Sequence, residues 1–366
     1  MKVLLGHFLC AIVLLLSPLG IGSSLAFAPE DNPPCWLFRP AQLNRIGTIG
    51  VAGAISAETG KSHHKAGLRA VKALTDFYDL TVSEDTLKKQ LEEGIRTFPI
   101  GGRTFQIVDE FKSRGRIFVY AVEGGSPVNL DSLRNDCVRS CDPEKCDPSW
   151  ICEPMGKDTA GFLGVSGRAT TLEAQYGMAM INGVKQAGYL YGASVSSQSR
   201  FASSKTSLGV FKYRFMDGTV TEKSDTASNG LRFIMSDACF EDGQLYTRII
   251  CPDLKPLSSI APEVWMKNPN TAGYNGAVGS VERVASGQIS DQISVAIRRG
   301  IIALAQSRDI QIKDETDIHL SKSGSFFYQD IRTKSSVTLS AKVMGVYFKP
   351  VPTGRRVFVW VVETDE

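Results

Sequence analysis

Histidine is scarce in this chain, with four among 366 residues. His7 stands in the apolar opening stretch, which leaves His63, His64 and His319. His63 and His64 are neighbours that point apart on a helix, so they make poor joint metal ligands, and His319 is expected alone in a polar connection. No Gly-x-Ser-x-Gly elbow and no His-Glu-x-x-His occurs, so neither acyl transfer nor zinc hydrolysis has a motif here. An excess of one charge is also lacking. The 41 basic and 38 acidic residues leave +3, too small and dispersed for a nucleic-acid surface, and nucleic acid is discarded as a partner. Beyond the first residues no apolar run is long enough to cross a bilayer. Cys-x-x-Cys is absent, which removes the thioredoxin-like motif and the zinc ribbon.

What the opening residues do contain reads as a secretory leader. Lys2 precedes an apolar stretch from Phe8 to Leu16, then Pro18 and small residues up to Ala26. Residues 1–26 are expected to be a signal peptide cleaved after Ala26. Neither Cys10 nor Cys35 follows a small-residue lipobox, so direct lipidation is not expected. Eight cysteines less Cys10 leave seven, an odd number that in an exported protein predicts disulfides and at least one thiol left over.

The strongest pattern is an internal repeat. Tryptophan followed four residues later by proline occurs at Trp36/Pro40, Trp150/Pro154 and Trp265/Pro269. Apolar runs with Gly-x-x-Gly follow: Gly50 and Gly53, Gly164 and Gly167, each pair beginning 14 residues after its tryptophan, and Gly276 and Gly279, beginning only 11 after. Glycine inside an apolar strand marks close approach of another backbone, here the next helix. Helical stripes come next, read as Ala66, Ala70, Ala73, Leu74 and Phe77, then the matching sets from Met180 and from Ile293. In this register Ala73, Ala187 and Gly300 are equivalent. Each unit closes on a glycine hairpin, at Arg114-Gly115, Asp242-Gly243 and Gly354. Val337, Leu339, Ala341 and Val343 alternate with Thr338, Ser340 and Lys342, as in a strand with one wet face.

The plan is therefore α+β: three tandem β-α-β-β(-β) modules, each an antiparallel sheet packed on one main helix. The divisions are module 1 at 35–125, a cysteine-rich linker at 126–149, module 2 at 150–253, a linker at 254–263 and module 3 at 264–366. Trp36, Trp150 and Trp265, just before each first strand, are expected to close the end of the core. The competing reading is a row of exposed aromatics that bind glycan.

The linker holds Cys137, Cys141 and Cys146, with Cys152 just beyond. Cys239 and Cys251 lie on the two strands of the second hairpin. A tight turn opposes Cys239 to about Tyr246, which leaves Cys251 about 16 Å farther along, too far for a bond between them. One or both are expected to pair with the linker. The segment Ser56–Ser62 ends like a phosphate-binding loop, but Ile55 stands where its first glycine belongs, so no nucleotide cofactor is expected. The acidic pairs Glu84-Asp85 and Glu92-Glu93 are the wet face of a short helix. No catalytic, cofactor or metal residues are assigned.

The Trp-x-x-x-Pro lead, the glycine strand, the alanine-rich helix and the strand Gly115–Tyr120 resemble the domain of the twenty-kilodalton outer-membrane lipoproteins and the N-terminal domain of flagellar H-ring assembly proteins, best over residues 35–125. That resemblance implies a periplasmic or outer-membrane-associated structural protein with no catalytic residues to carry over. The function expected is a non-enzymatic envelope protein whose partners are envelope proteins or further copies of itself. A glycan- or peptide-binding module and an enzyme with an active site between modules are the alternatives.

Overall fold

The computed structural model describes residues 32–364 apart from 42–44, 55–60, 125–128, 157, 188, 190–192, 207–208, 223–230, 310–314 and 324–325; residues 193–222 and 308–337 are described by their backbone where they are described. The expected leader, and most of the segment resembling a phosphate loop, lie outside the described residues.

The first unit contains β1 (Gly47–Gly53), α1 (Lys61–Phe77), α2 (Glu84–Glu92), β2 (Thr97–Ile100), β3 (Arg103–Ser113) and β4 (Arg116–Glu123). After the short α3 (Leu130–Asn135), the second has β5 (Ala160–Ser166), α4 (Leu172–Ala187), β6 (Ala193–Thr206), β7 (Gly209–Glu222), β8 (Ile234–Glu241) and β9 (Gln244–Cys251). One turn of helix, α5 (Pro262–Trp265), leads to the third unit: β10 (Gly276–Val281), α6 (Ile289–Asp309), β11 (Glu315–Ser323), β12 (Phe326–Leu339), β13 (Ala341–Val351) and β14 (Gly354–Glu363).

Each unit forms a small antiparallel sheet in which the first strand pairs with the last: β1-β4-β3-β2, β5-β9-β8 and β10-β14-β13. Its main helix crosses the first strand, α1 on β1, α4 on β5 and α6 on β10. The fold is α+β, as the periodicities predicted. The closing hairpins also have the expected backbone. Arg114 and Gly115 take φ of 47° and 71°, Asp242 and Gly243 take 47° and 76°, the two positive values that a tight hairpin turn requires. Cys239 opposes Tyr246.

The register of the repeat differs from the sequence reading. A β-carbon on Gly50 would lie 2.0 Å from the carbonyl oxygen of Ala66, on Gly164 2.2 Å from that of Ala179, and on Gly279 1.9 Å from that of Ala296. Gly279 therefore matches Gly50 and Gly164, and Gly276 matches Gly47 and Gly161, all three 11 residues after their tryptophans. A Gly-x-x-Gly-x-x-Gly series runs through units one and two, and unit three keeps its first two glycines, with Glu282 in place of the third. Gly53 and Gly167 receive no helix; the nearest atoms to their added β-carbons lie 3.6 and 3.5 Å away. The helices shift accordingly: Ala66, Ala179 and Ala296 are equivalent, as are Ala70, Gly183 and Gly300, rather than Ala73, Ala187 and Gly300.

Two further expectations fail locally. The alternating run breaks at Ser340 between β12 and β13, and Lys342 is 1% exposed, its Nζ donating to the Lys255 carbonyl at 3.2 Å. His319 lies in β11, opposite Asp330, not in a connection. The long hairpins β6-β7 and β11-β12 were not foreseen. They pair through β6 and β12 into a fourth sheet, β11-β12-β6-β7, that joins units two and three.

The units stack in one direction. On the α1 side of the first sheet, Val119, Ala121, Phe105 and Ala70 form one core. On the opposite side Phe118, Tyr120 and Val122 share a core with Tyr176 and Ala179 of α4 and Leu245 of the second sheet. Likewise Leu163, Val165 and Tyr246 of the second sheet share a core with Ile293 and Ile297 of α6. The back of each of the first two sheets thus meets the helix-bearing front of the next unit.

Candidate functional site

The Trp-x-x-x-Pro segment is an anchor for the last strand of its own sheet. The Pro40 carbonyl accepts from the Tyr120 hydroxyl at 2.8 Å, that of Pro154 from Arg248 Nε at 2.8 Å, and that of Pro269 from Trp360 Nε1 at 3.0 Å. Tyr120, Arg248 and Trp360 hold the same register position, each opposite the residue after a β-bulge: Asp109, Asp237 and Gly345. Where that residue is aromatic, the tryptophan stacks on it. Trp36 lies 5.3 Å from Tyr120 at 6°, and Trp265 lies 6.1 Å from Trp360 at 7°.

Trp36 and Trp265 are 0% exposed. An exposed glycan-binding row at these tryptophans is thereby excluded. Trp150 departs from the pattern. Its unit has Arg248 in place of the aromatic, and Trp150 is half-buried, packed against the core shared by units two and three.

The bulge residue sets the polar environment. Trp36 Nε1 donates to Asp109 Oδ2 at 2.9 Å, and Arg134 of α3 grips the same carboxylate at 2.7 and 2.5 Å. Burial acts to raise the Asp109 pKa, but the hydrogen bonds from Arg134 and Trp36 outweigh it and hold the carboxyl below its ordinary value. Gly345 stands where Asp109 would be in unit three, and Trp265 Nε1 is buried without a partner there.

The cysteine linker touches all three units. Cys137 is bonded to Cys35 and Cys141 to Cys239, while Cys146 and Cys152 close a short loop. Residues 139–141 run along the free edge of β8, with the Cys141 N–H donating to Phe240 O at 3.0 Å and the Phe240 N–H to Arg139 O at 2.9 Å. Farther on, the Val346 N–H of β13 donates to Cys152 O at 2.9 Å, and Arg355 reaches Glu144 at 3.0 Å and Glu241 at 2.6 Å. The expected bond between the second hairpin and the linker is present through Cys239. Cys251 is not part of it: it is free and buried, opposite Ala160, with burial pushing its thiol pKa up. The partner of Cys137 is Cys35, which no spacing argument singled out.

The outer edges of the first strands carry a second repeated device that the sequence did not reveal. The carbonyls of Val51, Val165 and Ser280 accept from Arg69, Asn182 and Arg299; the last two bonds are 2.8 and 2.7 Å. These three residues share one helix position, three beyond Ala66, Ala179 and Ala296. They satisfy edge carbonyls that would otherwise invite another strand. Because Arg, Asn and Arg share a role rather than an identity, no motif marks them.

Two grooves open where one unit meets the next, and they are equivalent. A cavity of about 500 Å³ lies between Ile49 and Val51 of the first sheet and Tyr176 and Met180 of α4. Another of about 640 Å³ lies between Leu163 and Val165 of the second sheet and Ile293 and Ile297 of α6. In the second groove Gln186, 3% exposed, donates through Nε2 to Leu163 O at 2.6 Å and leaves Oε1 unpartnered.

Of the histidines, His63 Nδ1 lies 2.6 Å from Glu110 Oε2, on the first unit alone. Among the described residues no three His, Cys, Asp or Glu side chains are arranged to hold a metal, and no helix is long and apolar enough to cross a membrane. Three disulfides fit a protein that folds in an oxidising compartment. No family model matches the chain, and no curated protein matches it.

Proposed function

We propose that this chain is an exported, non-enzymatic envelope protein, periplasmic or outer-membrane-associated, whose three modules form a rigid platform for assembling other envelope proteins. One observation carries this reading. The polar groups repeated between units, at Arg69, Asn182 and Arg299 and at Tyr120, Arg248 and Trp360, are spent on backbone carbonyls of the fold, while the faces between units are apolar and shared. A repeat that keeps its docking faces and not a reacting group suits assembly. The resemblance of the first unit to the outer-membrane lipoprotein domain and to the flagellar assembly domain agrees with it. Affinity capture from solubilised envelope fractions, using the oxidised full-length chain, tests it: specific recovery of protein partners is expected. Recovery of none, with a small molecule retained instead, overturns the proposal.

A second reading, a small-ligand site between units two and three, is favoured by the unpartnered Gln186 Oε1 in the larger groove. Its signature is a retained compound in native mass spectra that is lost in Gln186→Leu.

A further inference from the structure

The stack is closed at one end and open at the other. At the first unit, α2 lies on α1, burying Leu87 and Leu91 and turning Glu84, Asp85, Lys88, Lys89 and Glu92 outward. A polar layer of this kind is how a repeat array ends. At the third unit the back of the sheet carries Val278, Tyr347 and Phe358, all half-buried, with the last two rings 6.4 Å apart. The segment containing Leu254, Leu257 and Ile260 packs beside them, and among the described residues no helix-bearing unit lies on this face as α4 and α6 do on the first two sheets.

The register assigns that face a role. Val278, Tyr347 and Phe358 match Ile49, Phe111 and Phe118 of unit one, and Leu163, Cys239 and Tyr246 of unit two. In unit one the matching face meets Tyr176 and Met180 of α4, and in unit two it meets Ile293 and Ile297 of α6. Both covering helices place apolar side chains at positions i and i+4. Charge marks the first of these two interfaces, while Asn182, Gln244 and Ser290 stand at the equivalent positions of the second. Arg69 and Arg116 of unit one reach Glu173 of α4, three residues before Tyr176, at 3.7 and 3.8 Å. Unit three has Arg299 and Arg356 at the corresponding positions, with Arg299 exposed and Arg356 paired to Glu282, the residue that replaces the third glycine.

We propose that the outer face of the third unit docks an amphipathic helix of a different envelope protein, one with apolar side chains at i and i+4 and a carboxylate at i−3 near Arg299. This rests on the assembly reading and names the surface and the chemistry of the partner. A second copy of the chain does not supply such a helix. The Tyr176/Met180 face of its α4 and the Ile293/Ile297 face of its α6 are already covered by units one and two, and α1 offers His63 and Gly67 where Tyr176 and Met180 stand. A β-carbon on Gly67 would already lie 3.2 Å from Leu91 of α2.

The test uses a fluorescent peptide with the α4 sequence Leu172–Ala187, held helical by a staple on the face away from Glu173, Tyr176 and Met180, titrated against the oxidised full-length chain. Saturable binding is expected, weakened at least tenfold by Phe358→Asp and several-fold by Arg299→Glu, with Glu173→Gln in the peptide reproducing the second effect. Arg299→Glu lies on an exposed helix face and keeps the test valid if Phe358→Asp fails to fold. No saturable binding, or binding unaffected by Arg299→Glu and by a folded Phe358→Asp, overturns the proposal. So does a dimer in sedimentation that Arg299→Glu or Phe358→Asp dissociates, which would assign the face to a second copy. Envelope capture separates the two claims. A protein partner retained equally by wild type and Arg299→Glu leaves the assembly reading standing and removes this one, whereas capture of no protein at all removes the assembly reading.

Discussion

The Tyr120 hydroxyl donates to the carbonyl of Pro40, 80 residues earlier in the chain, at 2.8 Å. Arg248 and Trp360 make the same bond with a guanidinium and an indole. The acceptor is conserved between units and the donor is not, which identifies the proline carbonyl as the fixed point of each module. Tyr120→Phe removes the donor and leaves that buried oxygen unpaired, at a cost of about 1–3 kcal/mol. Urea denaturation checks this; a midpoint unchanged from wild type would show that water satisfies the oxygen.

Glycine at the helix crossing is a steric requirement. Gly50→Ala or Gly279→Ala drives a methyl into the carbonyl of Ala66 or Ala296, and each is expected to destabilise its unit by about 1–3 kcal/mol. Gly53→Ala meets nothing closer than 3.6 Å and should stay within about 0.5 kcal/mol of wild type. Thermal melts of the three variants separate the two glycine roles.

The cysteines divide unequally. With cleavage in the leader and all three disulfides closed, one thiol, that of Cys251, should label, and then only after denaturation. Mass spectrometry with and without denaturant reads this directly. Cys141→Ser breaks the link between the linker and β8 and is expected to cost about 2–5 kcal/mol, whereas Cys251→Ser leaves the disulfides intact.

The Asp109 cluster makes the first unit sensitive to acid. Its folded pKa is held below its ordinary value, so the stability it contributes is complete above the unfolded carboxyl pKa of about 3.9 and is lost as pH falls through the folded value. Unfolding below about pH 4 should be less steep in Asp109→Asn than in wild type. Denaturation series at pH 3 and pH 7 measure the difference; equal slopes would remove Asp109 from the account.

Much of the module plan was legible because period and turn chemistry are local. The hairpins at Gly115 and Gly243, the opposition of Cys239 to Tyr246 and the α+β class follow from residues near one another. The glycine register misled because unit three replaces its third glycine with Glu282. Gly50/Gly53 and Gly164/Gly167 are second and third members of their series whereas Gly276/Gly279 are first and second, so the alignment slides by three residues. The paired long hairpins escaped because serine-rich runs such as Ser194–Ser199 carry no apolar alternation, and their partner strand is more than a hundred residues away. Cys35 escaped for a related reason: it bonds to Cys137 across a separation of 102 residues, and spacing arguments see only neighbours.

Two of the disulfides also determine how the chain would carry tension. A pull entering at Cys35 crosses to Cys137, runs through the main chain to Cys141 and crosses again to Cys239. All of the first sheet and most of the second unit hang off this covalent route as unloaded loops. Stretching the oxidised chain from its two ends would load β9 and the third unit, and reduction would add the hidden length of the rest. If the protein bridges structures that move apart, β9 and the third unit are its mechanical fuse.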